Sequence, residues 1–299
     1  MVKEKSKNPN SKTSNDMVEN QNSDTIYDDD DEEEDFIERI KNKVNKQSWF
    51  TDLKICFVVL TRIPIYVGET SNDFSIAEAS RFFPITGAVI GLLSVLVFWF
   101  FTLFGLPASI LALLLLLTMT LLTGALHDDG LADTFDGLGG GIDREEKLSI
   151  MRDSFVGSYG IMSLLFSFGL RWAAYTKLIE LGFYFTALAV IAVASASRAA
   201  LPPIMYFIPV AREDGLSARA GKPSLERAVT SVLIGVAVLL LLLGFQITVI
   251  AIGLSVLVVG FFVYFVATRI GGQTGDVLGA AQQLTEATIL FAVLIVGIS

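Results

Sequence analysis

Apolar runs of about 20 residues recur along this chain, each long enough to cross the hydrocarbon of a bilayer as a helix. They fall at 82–106, 107–126, 160–181, 183–207, 228–245 and 248–270. With no water in the hydrocarbon to satisfy backbone N–H and C=O groups, segments like these must be helical. A further run, 287–299, is shorter and ends the chain. The stretch 54–66 is also apolar but holds Arg62 and Pro64, and reads as a re-entrant or interfacial helix. Composition agrees, with 53% hydrophobic and only 18% charged residues and a mean hydropathy of +0.60. The expected fold is all-α: a polytopic integral membrane bundle of six to seven transmembrane helices plus the interfacial one, in a single domain over 48–299.

The first 47 residues are different material. They are polar, and residues 28–35 are eight consecutive acids. A segment with so little to bury cannot offset its ordering entropy, so a disordered acidic tail is expected over 1–47. No apolar stretch follows its early lysines, so it does not read as a secretory signal. It contributes 13 acids and 8 bases, a net −5 of the chain's −9, so overall acidity says nothing about a substrate. No basic stripe with interleaved aromatics supports nucleic-acid binding.

The densest chemistry follows the second apolar run. His127-Asp128-Asp129-Gly130-Leu131-Ala132-Asp133-Thr134-Phe135-Asp136-Gly137 places four carboxylates within nine residues. Hydrocarbon rejects such a cluster, so it must lie where the chain leaves the membrane or lines a wet cavity. Asp129, Asp133 and Asp136 are spaced i, i+4, i+7, which puts them on one stripe of a helix. Three like charges on a stripe repel, and a hard cation such as Mg²⁺ relieves that. The plainer alternative is a polar cap ending a helix, but a cap needs one Asp, not three on a face.

Other constellations share that side. The links near 104–108, 181–184 and 244–248 are short and hold no Lys or Arg, whereas 127–159, 208–227 and 269–286 are polar and carry Arg144, Arg152, Arg212 and Arg269. By the positive-inside rule the long links face the cytoplasm, which places nearly all the chemistry on one face, as suits an enzyme of the cell membrane better than a conduit. Arg152-Asp153-Ser154, followed by Gly157-Ser158-Tyr159-Gly160, joins a phosphate-pairing cation to a glycine-flexed turn, and N–H groups at a helix start receive anions. Gly271-Gly272-Gln273-Thr274-Gly275-Asp276 is a second such turn, where glycines admit a ligand close to the backbone and Asp276 can add a metal oxygen. Arg171 and Arg198 fall inside spans and call for an inward-facing phosphate or carboxylate. Cys56 and His127 are the only residues of their kinds, which excludes disulfides and His₂ or Cys/His zinc sites. No nucleophile elbow or Walker A loop is present.

These motifs resemble the cobalamin synthase (adenosylcobinamide-GDP ribazoletransferase) family of integral membrane enzymes. The pattern H-x-D-G-L-A-D-x-x-D-G is met from His127 to Gly137, M-[KR]-D-S-x-x-G-[ST]-[YH]-G from Met151 to Gly160, and G-G-x-T-G-D-x-x-G-A from Gly271 to Ala280. Weaker echoes are Leu60–Pro64, Phe83–Gly87 and the pair Ser197-Arg198. The resemblance runs in order from about residue 50 to the C-terminus; the acidic extension lies outside it.

The resemblance implies a reaction. Adenosylcobinamide-GDP meets α-ribazole or its 5′-phosphate, the ribazole 3′-hydroxyl attacks the phosphate on the cobinamide arm, and GMP leaves. Magnesium is the implied cofactor. Asp129, Asp133 and Asp136 are the implied metal ligands, with Asp276 and Asp153 as lesser candidates. Arg152 and Arg198 would hold phosphate, and His127 or Asp133 would take the hydroxyl proton. Ser154, Gly157, Tyr159, Gly272, Gln273, Thr274 and Gly275 would line the substrate site. Association with other cobalamin-assembly enzymes is a further expectation. Two rivals remain at this point. CDP-alcohol phosphotransferases space their acids more widely, and a carboxylate-dependent ion carrier needs more midplane charge than Arg171 and Arg198 supply.

Overall fold

The computed structural model describes residues 48–66 and 75–297, so the expected acidic tail lies outside the described residues. Helix α1 (Trp49–Leu60) starts at Ser48, whose hydroxyl accepts from the Phe50 N–H. It covers the first half of the run read as interfacial; residues 61–66 follow it without helix. Helix α2 (Ile76–Ala79), capped by Ser75, runs through a 3₁₀ turn into α3 (Phe83–Thr102), giving 27 nearly continuous helical residues. Pro84 sits in the first turn of α3, where its missing N–H costs no hydrogen bond.

Helix α4 (Ala108–Thr123) ends at Gly124 and Ala125, both left-handed, and α5 (Leu126–Gly140) leaves at 88°. Ala125 is the one non-glycine with positive φ among the described residues, a conformation costing roughly 1–2 kcal/mol. The elbow is held by the Gly124 and Ala125 N–H groups on carbonyls of α4, and by Arg62 N–H on Leu122 O at 2.7 Å. Its consequence is that α5 lies across the end of the bundle instead of continuing along α4.

Helix α6 (Arg144–Ile150) is followed by α7 (Ser158–Leu181), which turns at Gly182 into α8 (Phe183–Ala199) and the short α9 (Leu201–Phe207). After α10 (Leu216–Ala220) comes α11 (Leu225–Ile270), 46 residues long. A straight helix of that length would reach about 69 Å, more than twice a bilayer core. Gly244 breaks it, with φ 83° and ψ 175°. Val232 and Leu239 from one arm and Ala251, Val259 and Val263 from the other line one apolar cavity of about 560 Å³, so the segment folds back as a hairpin. The last described helix is α12 (Gly275–Gly297).

Among the described residues four helices are long and apolar enough to cross a membrane, or five with the bent α4–α5 pair. The break at Gly244 divides one of them at the place where the sequence separates 228–245 from 248–270. The terminal run, read as short from residue 287, is the second half of the 23-residue α12. Gln282, Gln283 and Glu286 interrupt its hydropathy but are buried among helices, so the helix continues through them.

The main core joins α3, α4, α7, α8, α11 and α12 through residues such as Phe98, Leu115, Tyr175, Val193 and Leu290. Small residues set the spacing: side chains at Gly87 and Gly91 would collide with the α8 backbone, and Ala192–Ala199 is buried throughout. Among the described residues the only β pairing is an isolated bridge, Val210 to Gln273.

Candidate active site at the end of the bundle

The acidic helix α5 crosses the start of α12 at two glycines. A Cβ on Gly130 would lie 2.8 Å from the Asp276 carbonyl oxygen, and one on Gly279 would lie 3.2 Å from the Gly130 Cα. Only hydrogens fit there, so the two backbones touch, and Asp276 comes beside the acids of α5. Helix α5 therefore presents its carboxylates in three directions.

Asp136 points inward and closes the start of α7. Its two oxygens accept from the Gly157 and Gly160 N–H groups at 2.7 and 2.8 Å. A side chain on either glycine would strike that carboxylate, which is why the turn is glycine-rich. The helix start that invites an anion thus holds one from the protein itself. Asp128 points toward α7 as well, where the Arg171 guanidinium meets it at 2.9 Å.

Asp129 is exposed and Asp133 half-buried. Burial first, then Asp129, Asp276 and Asp136, push the Asp133 carboxyl up to about 7, with Arg212 opposing. Arg212 reaches Asp276 at 3.3 Å and lies 3.8 Å from Asp214, and Asp214 pairs with Arg152 at 2.6 Å. The Arg152 hydrogen bond holds the exposed Asp214 below the usual carboxylate range. This chain of charges ties the loop after α6, the loop before α10 and the start of α12 into one rim.

The second glycine turn is laced to the same rim. Gln273 N–H donates to Pro209 O and its carbonyl accepts from Ala211 N–H, both at 2.8 Å. The Gln273 side chain is buried and accepts from Ser217 Oγ at 2.7 Å. Thr274 Oγ1 caps α12 by accepting from Val277 N–H and donates to Asp276 at 3.1 Å. Gly272 admits residues 209–211 against its backbone. Arg144 bonds the Ile270 and Ala211 carbonyls, and Lys147 the carbonyls of Gly141 and Ile142 just beyond α5.

Several residues singled out from sequence sit elsewhere than in the acid patch. Asp153 is exposed and accepts from Phe155 N–H within its own turn. Ser154 is exposed at the same turn, and Tyr159 is 56% exposed with its ring over Gly139. Arg198 is only 2% exposed and faces Glu286 at 3.6 Å, so its partner is a protein carboxylate inside the bundle. His127 is 2% exposed, and its Nε2 finds no hydrogen-bond partner among the described residues. The expected metal set is therefore divided. Among the described residues no three His, Cys, Asp or Glu side chains gather closely enough to form a metal site by themselves.

Sequence reasoning missed Glu286, Asp128 and the rim residue Asp214, and it used Arg212 only for topology. Glu286 carried a signal, being an acid one turn after Gln282 in a segment that must cross the membrane. Asp214 carried none beyond its charged loop.

A family model described as cobalamin-5-phosphate synthase matches residues 52–294. An adenosylcobinamide-GDP ribazoletransferase of Bradyrhizobium diazoefficiens is 42% identical over 239 residues, covering 80% of this chain and 91% of the relative. One from Azorhizobium caulinodans is 46% identical over 242 residues, covering 79% and 92%. One from Shewanella baltica is 39% identical over 262 residues, covering 84% and 98%. No solved structure matches.

Proposed function

The chain belongs to the cobalamin-5-phosphate synthase family, and we propose on that premise that it joins adenosylcobinamide-GDP to α-ribazole or its 5′-phosphate at the end of the bundle where α5 crosses α12. It is a membrane transferase, and the step is the last assembly step of cobalamin biosynthesis. The family match displaces both the CDP-alcohol phosphotransferase and the ion-carrier readings.

The observation that carries the site is the crossing itself, which sets Asp129 and Asp133 of α5 beside Asp276 of α12 with Arg212 as the near cation. The donor set fits Mg²⁺. It is all carboxylate oxygen, and after burial its like charges are what raise the Asp133 carboxyl. Asp129 and Asp276 would hold the ion. When bound, Mg²⁺ would offset the charge that builds on the phosphoryl oxygens and on departing GMP.

The remaining work falls to the protein. A new P–O bond forms from the ribazole hydroxyl as the P–O bond to GMP breaks. Asp133, half-buried beside these carboxylates, takes the hydroxyl proton. Arg152 and Arg212, both reachable from the rim, steady the diphosphate. Asp136 and Gln273 hold the elements that carry these groups.

Purified full-length protein in liposomes should convert adenosylcobinamide-GDP and α-ribazole to adenosylcobalamin with release of GMP, and should stop in chelator. GMP formation that is unaffected by chelator would overturn the metal reading; no transfer at all would overturn the activity. The site faces the cytoplasm from the plasma membrane, as the basic links support. In a Cys56→Ala background of intact cells, an impermeant thiol reagent should label Gln246→Cys and spare Ser154→Cys. The reverse pattern would invert the orientation.

A further inference from the structure

The charges inside the bundle form one connected set. Asp128 of α5 meets Arg171 of α7 at 2.9 Å, and Arg171 meets Glu286 of α12 at 3.4 Å. Glu286 then faces Arg198 of α8 at 3.6 Å, and Gln282 bonds both Glu286 Oε2, at 2.8 Å, and Ser197 Oγ, at 3.0 Å. Arg171, Arg198 and Glu286 are each at most 5% exposed at the side chain, and Asp128 is 16% exposed. Two cations balance two anions, so the set is neutral where an unpaired charge would be very costly.

Its ends are placed informatively. Asp128 adjoins Asp129, and Glu286 lies ten residues beyond Asp276 on the same helix. Arg171 therefore ties the helix that carries Asp129 and Asp133 to the helix that carries Asp276. Helix α5 is gripped twice by α7, through Asp128 on Arg171 and through Asp136 on the Gly157 and Gly160 N–H groups. Two holds eight residues apart prevent α5 from rolling on its axis. A roll would swing Asp129 and Asp133 away from Asp276.

We propose that Glu286, acting through Arg171 and Asp128, is a positioning residue for this transfer: it sets the α5 carboxylates against Asp276. The role rests on the acid patch being the active site, and it goes beyond charge balance. Balance alone would be met by removing Glu286 and Arg198 together.

That difference is the test. Full-length Asp128→Asn and the doubly substituted Glu286→Gln/Arg198→Met are compared with wild type in liposomes. Turnover is read with adenosylcobinamide-GDP and α-ribazole, Mn²⁺ affinity by electron paramagnetic resonance, and stability by thermal unfolding. The double variant should regain most of the stability that Glu286→Gln alone loses. Both should still lose about tenfold or more in kcat and in Mn²⁺ affinity, with KM for α-ribazole nearly unchanged, as when a group that orients a ligand is removed. Wild-type kcat and Mn²⁺ affinity in the double variant would overturn the proposal and leave Glu286 as a counter-charge. If the double variant does not fold, Glu286→Asp replaces it: the charge stays but the carboxylate is drawn back by one methylene. The same losses are expected there, and unchanged values would overturn the proposal equally. Asp129→Asn separates this from the underlying reading. Normal turnover in Asp129→Asn defeats the active-site assignment, whereas an inactive Asp129→Asn beside a normal Asp128→Asn defeats only the positioning role.

Discussion

Asp128 and Asp129 are neighbours in sequence, yet they belong to two regions that treat charge oppositely. Asp128 joins the interior set, where Arg171 and Arg198 face Asp128 and Glu286 and no net charge remains. Asp129 joins the rim, where Asp129, Asp133 and Asp276 share one near guanidinium, Arg212, and a negative excess remains. Inside the bundle an unpaired charge has neither water nor ligand to solvate it, so the protein supplies a counter-charge for each. At the rim water is present, and the imbalance can be kept for a ligand. Charge balance thus separates groups that hold the fold from the groups proposed to act on substrate.

Arg171→Met should show the largest effect, because it strands Asp128 and Glu286 without their shared cation. A loss of about 3–5 kcal/mol is expected, read by thermal or denaturant unfolding in detergent. Arg152→Met, at an exposed pair, should leave the unfolding midpoint where it was. Equal midpoints for the two variants would erase the distinction between the regions.

Next come Asp129→Asn and Asp133→Asn. Each should cut kcat by roughly 10²-fold or more, the scale of a lost transition-state contact, while folding as well as wild type or better because like charges are removed. Asp129→Asn should also weaken Mn²⁺ binding more than Asp133→Asn does. Marked destabilisation in either variant would mean that the rim is structural after all.

Gly130→Ala probes the crossing that joins the two acid sources. Its Cβ would sit 2.8 Å from the Asp276 carbonyl oxygen, so α5 and α12 must part by a few tenths of an ångström. Kcat should fall by about tenfold, since small displacements at reacting groups are expensive. Unchanged kinetics would show that the carboxylates tolerate that movement.

Deleting residues 1–47 should have the smallest effect. Transfer in liposomes should stay within about threefold, under roughly 0.7 kcal/mol in barrier. A large loss would add a third, acidic region to the comparison.

Much of this was legible in the residues. Run length and composition lead directly to a membrane helix bundle, because hydrocarbon leaves the backbone no other way to satisfy its hydrogen bonds. The i, i+4, i+7 spacing puts the acids on a helix, and the short basic-free link at Gly244 marks the hairpin of α11. The glycines of the 157–160 and 271–276 turns announce close approach. What approaches is not legible there: Asp136 and residues 209–211, not a ligand, lie against these glycines. For Arg198 the residues leave phosphate or carboxylate open, and only the fold shows that the carboxylate of Glu286 stands opposite it.

Periodicity, length and charge are local quantities, and a chain determines them without folding; so the sequence by itself settled the helical membrane class, the acidic helix and the glycine turns. Which carboxylate meets which cation is a long-range fact. Asp128 and Glu286 are 158 positions apart, and Arg171 joins them only because α5, α7 and α12 pack together. The split of one acidic stripe into Asp136 turned to α7, Asp128 turned to Arg171, and Asp129 with Asp133 left facing Asp276 follows from the 88° elbow at Gly124 and Ala125 and from the Gly130–Gly279 contact. Tertiary packing alone decided it, because a carboxylate's role depends on whether a partner or water reaches it.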